Sequence, residues 1–308
     1  MGSGSKIKKD LLNILEERVL VCDGAMGTML QKYDFKGPND LLNLDLEALK
    51  IIEDIHFQYL KAGSDIIQSN TMGSSVLQLQ HTGQLDNIGK INKNGVDAAR
   101  RAIEKYLSKT GNDRKIYIAG DMGPSGKVLE PYGDTKYESV FDSYARHAEI
   151  LIGTGVDLIL IETMIDLNEA LAAVKAVRKT DPDIVIACTL SFQENGVTVM
   201  GNRAENFGEA LIDAGCDIIG ANCSVGSDAM INITEKIRAA NPSARLLIQP
   251  NAGLPSIVDG KTVFNETSEM MADSFSRILE YKPSIVGACC GSTPKHILQL
   301  TELVHNKP

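Results

Sequence analysis

The chain contains no tryptophan, and aromatic residues of any kind make up 5% of its 308 residues. That leaves no clear set of rings with which to cage a quaternary ammonium ligand. No apolar run approaches the roughly 20 residues needed to cross a bilayer, so no membrane span is expected. The opening "MGSGSK" lacks the apolar stretch of a secretory signal; residues 1–6 read instead as a disordered, artificial leader. Positive charge is in deficit: a net charge of −9 argues against a nucleic-acid surface and against attraction to anionic membranes. No Walker phosphate loop, no GxGxxG dinucleotide fingerprint and no Ser/His/Asp set can be assembled. Six cysteines in a chain this long make no disulfide scaffold, so a reducing, cytoplasmic setting is expected.

A hydrophobic fraction of 43% and a charged fraction of 23% belong to a globular protein with a sizeable core. Its most informative pattern is a repeat. "AGSDIIQSN" (62–70), "TGVDLILIE" (154–162) and "AGCDIIGAN" (214–222) share Gly-x-Asp followed by an apolar run. Before the first lies a helical face of Ile51, Ile52, Ile55, Tyr59 and Leu60. The glycine then fits the position just past a helix, and the apolar run fits a buried parallel strand. Further runs begin at Val19, Ile116, Val185, Leu246 and Ile285, which makes eight candidate strands. Helical patterns follow most of them: Val96, Ala99, Ile103 and Leu107; Leu171, Val174 and Val177; Met230, Ile233 and Ile237; Met270, Ser274 and Ile278. Asp166 and Glu169 have capping-box spacing, and Thr293 and Pro294 read as an N-cap and first helical residue. Repeated β–α alternation predicts an α/β protein with a single closed (β/α)8 TIM barrel over residues 7–308, a doubly wound open sheet being the alternative.

A barrel gathers chemistry at the C-terminal ends of its strands. Here those ends carry Asp23, Asn70, Asp121, Glu162, Ser191, Asn222, Cys223, Asn251, Cys289 and Cys290. Cys223 ends the sixth strand, and Cys289 with Cys290 ends the eighth, so three thiols face one rim. Three thiolates leave a tetrahedral zinc one open position; packing or an adventitious disulfide is the alternative. Thiolates donate charge and blunt the acidity that makes hydroxide from bound water. They suit holding a substrate thiol as a nucleophilic thiolate, which points to S-alkylation. Cys22, Cys188 and Cys216 lie in or before apolar strands and are expected in the core. Asp23 and Glu162 could hold an ammonium group or brace loop backbone. "DGAMGT" (23–28) has glycines that let N–H groups approach a carboxylate, and "PNAG" (250–253) can be a turn. The five histidines fit no ligand spacing and are expected on helix surfaces or partly buried.

In this order "DGAMGT", "QSNTMGSS", "GDMGPSG", "IETMID", "ANCSVG", "PNAGLP" and "GACCGSTPKH" resemble the signatures of the homocysteine S-methyltransferase family, from about residue 11 to 304. The resemblance implies a (β/α)8 barrel and zinc bound by Cys223, Cys289 and Cys290. It also implies homocysteine held by Asp23 and Glu162 at its amino group and by backbone at Gly24 and Ala25 at its carboxylate. Asn222, on the same rim, joins the substrate-binding candidates. The chain departs from the family at Met72, where an aromatic is frequent, and near Gln68 and Ser69. Its opening motif is closer to the cobalamin-dependent branch, which implies methylcobalamin or another methyl-corrinoid on a partner domain or protein as donor, and methionine as product. Betaine or S-methylmethionine as donor, and another thiol or a selenol as acceptor, are alternatives. So are a phosphate-binding lyase or isomerase and a non-enzymatic zinc-holding or corrinoid-docking module.

Overall fold

The three Gly-x-Asp repeats are one structural device used three times. Gly63, Gly155 and Gly215 all have left-handed backbone, with φ of 105°, 79° and 100°, and each stops a helix where a side chain would be strained. Asp65, Asp157 and Asp217 then clamp the preceding strand. Their N–H groups donate to the carbonyls of Val21, Ile118 and Ile186 at 2.7, 2.9 and 2.9 Å. Their carboxylates accept the N–H of those same residues at 3.0, 2.8 and 3.0 Å. Arg18 and Arg114 pair with Asp65, and Arg178 pairs with Asp217. Register is therefore set at the base of the barrel, far from the rim.

The computed structural model describes residues 3–33, 35, 37–258 and 261–305. Its strands are β1 (Leu20–Val21), β2 (Ile66–Gln68), β3 (Tyr117–Met122), β4 (Leu158–Met164), β5 (Val185–Leu190), β6 (Ile218–Gly226), β7 (Leu246–Asn251), β8 (Ser256–Val258), β9 (Lys261–Val263) and β10 (Ile285–Val286). Eight of them pair in parallel in the order β1-β10-β7-β6-β5-β4-β3-β2. A parallel bridge between Cys22 and Ile66, with the Asp23 N–H on the Ile66 carbonyl at 3.0 Å, closes β1 onto β2. The expected (β/α)8 barrel is what forms, with all eight strands where the apolar runs place them. The antiparallel pair β8–β9 is an addition that no alternation in the sequence announces.

The helices are α1 (Ser3–Glu17), α2 (Gly27–Leu30), α3 (Leu46–Lys61), α4 (Val76–His81), α5 (Ile88–Thr110), α6 (Tyr137–Gly153), α7 (Leu167–Thr180), α8 (Gly208–Asp213), α9 (Ser227–Ala240), α10 (Ser268–Ile278) and α11 (Pro294–His305). Two apolar cores result. One fills the barrel from within and includes Leu20, Ile66, Tyr117, Leu158, Val185, Ile218, Leu247 and Ile285. Leu11 and Leu15 of α1, one turn apart, join that core and stopper the barrel. The larger core lies between the strands and the outer helices. Of residues 1–6, the first two lie outside the described residues, while 3–6 belong to α1 rather than being disordered. Among the described residues no helix is long and apolar enough to cross a membrane.

Two local expectations are corrected. On α10 the buried stripe is Met271, Ser274, Phe275 and Ile278, and Met270 points outward at 57% exposure. The helix is rotated so that the larger Phe275 is buried. At α7, Asp166 caps the Asn168 N–H at 2.9 Å, but Glu169 does not complete a capping box. It is buried and accepts from the Ser125 N–H at 2.7 Å and the Tyr144 hydroxyl at 2.9 Å. A carboxylate at that depth is better satisfied by two donors across the β3–α6 connection than by its own helix end.

Candidate active site

The rim of the barrel is built on departures from regular strand. β6 loses register against β7 between Asn222 and Gly226, and within that irregularity Cys223 and Ser224 both have φ of 60°. Such bulges re-aim side chains, and left-handed non-glycine residues persist where the surroundings over-determine them. Opposite, Cys289 and Cys290 follow β10 after Gly287 and Ala288. The Cys289 N–H bonds the Pro250 carbonyl at 2.7 Å, and the Cys290 carbonyl accepts the Ala252 N–H at 2.9 Å. Gly291 then turns the chain with φ of 81°, at a point where a Cβ would lie 2.2 Å from the Phe264 ring. Thr293 starts α11, and His296 reaches back to it, its Nδ1 accepting the Thr293 N–H at 3.2 Å. His296 is thus the return partner of a capping box.

These turns bring the three sulfurs of Cys223, Cys289 and Cys290 within 4.8 Å of one another. A tetrahedral zinc with bonds of about 2.3 Å needs its sulfurs about 3.8 Å apart, so the trio fits such an ion after a small contraction. The thiols of Cys289 and Cys290 both hydrogen-bond the Cys223 sulfur, which pulls its pKa down to about 3. The same contact pushes Cys290 up to about 12. Cys22, Cys188 and Cys216 are buried in the core as expected, and burial raises all three thiols.

A cavity of about 410 Å³ opens beside the sulfurs, lined by Cys289 and Cys290 and by four acids: Asp23, Asp40, Asp121 and Glu162. Among the described residues, no lysine, arginine, histidine or aromatic ring lines it. The negative surroundings oppose a phosphate dianion, which removes the ground for a phosphate-binding barrel. Asp23 is gripped by Gln68, whose backbone N–H reaches Oδ2 at 3.1 Å and whose amide reaches Oδ1 at 3.0 Å. Burial raises Asp23 to about 7 and Asp40 to about 6. Glu162 rises to about 8 through burial, then the charges of Cys223 and Asp23. Carboxyl groups held this way favour a cation that lets them ionise.

Of the expected substrate residues, Asp23, Gly24, Ala25 and Glu162 line this cavity, and Asn222 does not. Asn222 is wholly buried one layer back. Its Nδ2 donates to Glu162 Oε2 at 2.6 Å and to Thr163 Oγ1 at 2.8 Å. Its Oδ1 accepts from the Thr163 N–H at 2.8 Å and the Thr189 hydroxyl at 2.7 Å. The Ala25 N–H is already spent on Ser292 Oγ at 3.0 Å, whereas the Gly24 N–H has no partner among the described residues. A side chain at Gly24 would strike Ser292 and Tyr59, so this loop must stay glycine. Tyr59 and Ser292 were not legible as site residues: Tyr59 reads as one more apolar position on α3, yet its hydroxyl bonds the Ala25 carbonyl at 2.8 Å. Among the histidines, His56 is buried with Nδ1 4.0 Å from Asp23 Oδ2, and His147 is buried against Asn92 at 2.8 Å.

Residues 20–304 match the family model described as homocysteine S-methyltransferase. Methionine synthases of Mycobacterium tuberculosis and Mycobacterium leprae are each 33% identical over 96% of this chain, which spans 25% of their length. The metallated form of the homocysteine methyltransferase MmuM from Escherichia coli superposes with a TM-score of 0.80 at 19% identity, over 94% of this chain and 99% of that one. Its oxidized form gives 0.78 at 20% identity, over 94% and 98%. The backbone likeness shows a shared barrel. The sequence match reaches further, from the first barrel strand into the last helix with the cysteine trio and both carboxylates inside it, and by that match the chain belongs to the homocysteine S-methyltransferase family and is a methyltransferase.

Proposed function

We propose that this chain methylates homocysteine to methionine, with zinc held by Cys223, Cys289 and Cys290 and a methyl-corrinoid on a partner domain or protein as donor. The observation that carries the reading is the cavity that sets two of the three clustered sulfurs against an acidic wall with no basic side chain among the described residues. When bound, zinc supplies the Lewis acidity that keeps the substrate sulfur a thiolate at neutral pH, and the corrinoid supplies an electrophilic methyl group. The chain's own residues do the positioning. Asp23, fixed by Gln68, and Glu162, fixed by Asn222, receive the amino group. The free N–H of Gly24 is presented to the carboxylate. Holding the amino acid at both ends leaves its side chain one direction to extend, toward the sulfurs, and this restriction is what raises the effective concentration of the thiol.

Two supports favour a corrinoid. The two mycobacterial methionine synthases are about four times the length of this chain, and among the described residues the cavity has no aromatic ring with which to cage a cationic donor. A methyl-transfer assay with homocysteine against methylcobalamin, betaine and S-methylmethionine, with zinc measured on the same sample, is expected to show turnover with methylcobalamin. Turnover confined to betaine or S-methylmethionine would overturn the donor.

The Asp23 carboxyl gives the pH dependence. Its pKa rises from 3.8 to about 7 on burial, so in the free protein its contribution to stability is full at low pH and is lost as pH rises through that range. An ammonium ligand requires the ionised form, so binding releases a proton below the raised pKa. Methionine carries the ammonium and has no thiol to titrate. With Glu162, the other ammonium partner, raised to about 8, it is expected to bind at least about tenfold more tightly per pH unit from about pH 5 and to level off only above about pH 8. Calorimetric titration at a series of pH values checks this, and a flat affinity below the pKa would exclude Asp23 as the ammonium partner.

A further inference from the structure

Asp121, like Asp40, is an acid of the cavity wall that the positioning scheme leaves unused. It lies on β3 with 6% of its surface exposed. Its backbone is pinned on both sides, the N–H by Ser69 Oγ at 3.1 Å and the carbonyl by Thr71 Oγ1 at 2.8 Å. Its side chain lines the cavity and hydrogen-bonds Glu162. Its Oδ1 is buried and has no hydrogen-bond partner among the described residues. A buried acceptor left unpaired costs about 1–3 kcal/mol, and in native proteins such atoms are rare enough to point to a missing ligand.

The surroundings limit what that ligand can be. Glu162, Asp40 and Asp23 all act on Asp121 with like charge, and no basic side chain among the described residues lines the cavity. An anion is repelled and a neutral donor leaves the charges uncompensated, so the partner is a cation that donates hydrogen bonds. One such group is already required here. An ammonium has three N–H bonds to place, and Asp23 and Glu162 account for two carboxylates.

We infer that Asp121 is the third carboxylate for the substrate's ammonium group, accepting the N–H that Asp23 and Glu162 leave over. The inference rests on the amino-acid-binding reading above and deepens it, because it makes the amino group a strict requirement of the site. A thiol lacking that group would leave a buried acceptor unpaired. Discrimination of this kind, in which the site's own polar group is left without a partner, is the strong kind.

The test compares methionine with 4-(methylthio)butanoate, which has the same chain and carboxylate but no amino group, as calorimetric ligands of the full chain and of Asp121→Asn. The asparagine keeps the shape and removes the charge. Methionine is expected to bind about 10–100-fold more weakly to the variant, while 4-(methylthio)butanoate binds both proteins alike and the zinc content is unchanged. Equal losses for both ligands would show a merely structural role, and an unchanged affinity for methionine would also overturn the inference. If the unaltered chain binds methionine no better than the deaminated analogue, the amino-acid reading itself falls and takes this inference with it. Should Asp121→Asn not fold, Asp121→Ser provides the same comparison with a smaller side chain.

Discussion

Replacing Cys289 by alanine is expected to strip the protein of zinc and of methyl transfer together. Structural zinc binds its peptides by about 10–16 kcal/mol, so one of four ligand positions carries roughly 3–4 kcal/mol and its loss weakens binding by about 10²–10³-fold. The consequence is larger than for a generic buried cysteine because the sulfurs also hold each other: Cys289 and Cys290 both hydrogen-bond Cys223. Cys188→Ala is the control. That thiol is buried in the core away from the trio, and its loss is expected to cost about 1–2 kcal/mol of stability with metal retained. Metal content by mass spectrometry and turnover on the same samples decide the matter. A Cys289→Ala protein that kept a full equivalent of zinc, or full turnover, would remove the basis of the metal assignment.

Asn222→Ala is expected to be the most damaging single change outside the residues that line the cavity. One amide ties β4, β5 and β6 through four hydrogen bonds of 2.6–2.8 Å. Two of them hold Thr163, a β-branched residue forced to a φ of 61°, a conformation that costs of order 1–3 kcal/mol unless its surroundings impose it. Another holds Glu162, a buried acid that would lose its amide partner. Breaking such a buried arrangement costs about 3–5 kcal/mol. The loss should appear in urea unfolding, accompanied by weaker methionine binding as Glu162 drifts. Thr189→Val removes one of the four bonds and should cost about 1 kcal/mol. An Asn222→Ala protein within 1 kcal/mol of the parent, with unchanged affinity, would show that Asn222 is a bystander.

Much of this was legible along the chain because it is local. The Gly-x-Asp repeats mark αβ joints, since the left-handed residue and the acid that follows it are two positions apart and act within one turn. Cys223, Cys289 and Cys290 were identifiable because a barrel sends every strand end to one rim. Other features were not legible. Met270 and Met271 are chemically identical, so the rotation of α10 could not be read from them. Glu169 carries the right spacing for a capping box, and only the arrival of Ser125 and Tyr144 diverts it. Ala25 offers a backbone N–H like any other, and Ser292, 267 residues later, occupies it.

What the sequence determined by itself is the order of strands and helices, the rim positions and the chemical kinds of side chain placed there, because periodicity, capping and turn preference are short-range properties. Tertiary structure alone decided which of those groups are spent and which are free. Asn222 became a brace, Tyr59 a loop support, and Asp121 a carboxylate with an oxygen to spare. The reason is physical: whether a buried polar atom is satisfied depends on partners from strands dozens to hundreds of residues away, and no local pattern records their arrival.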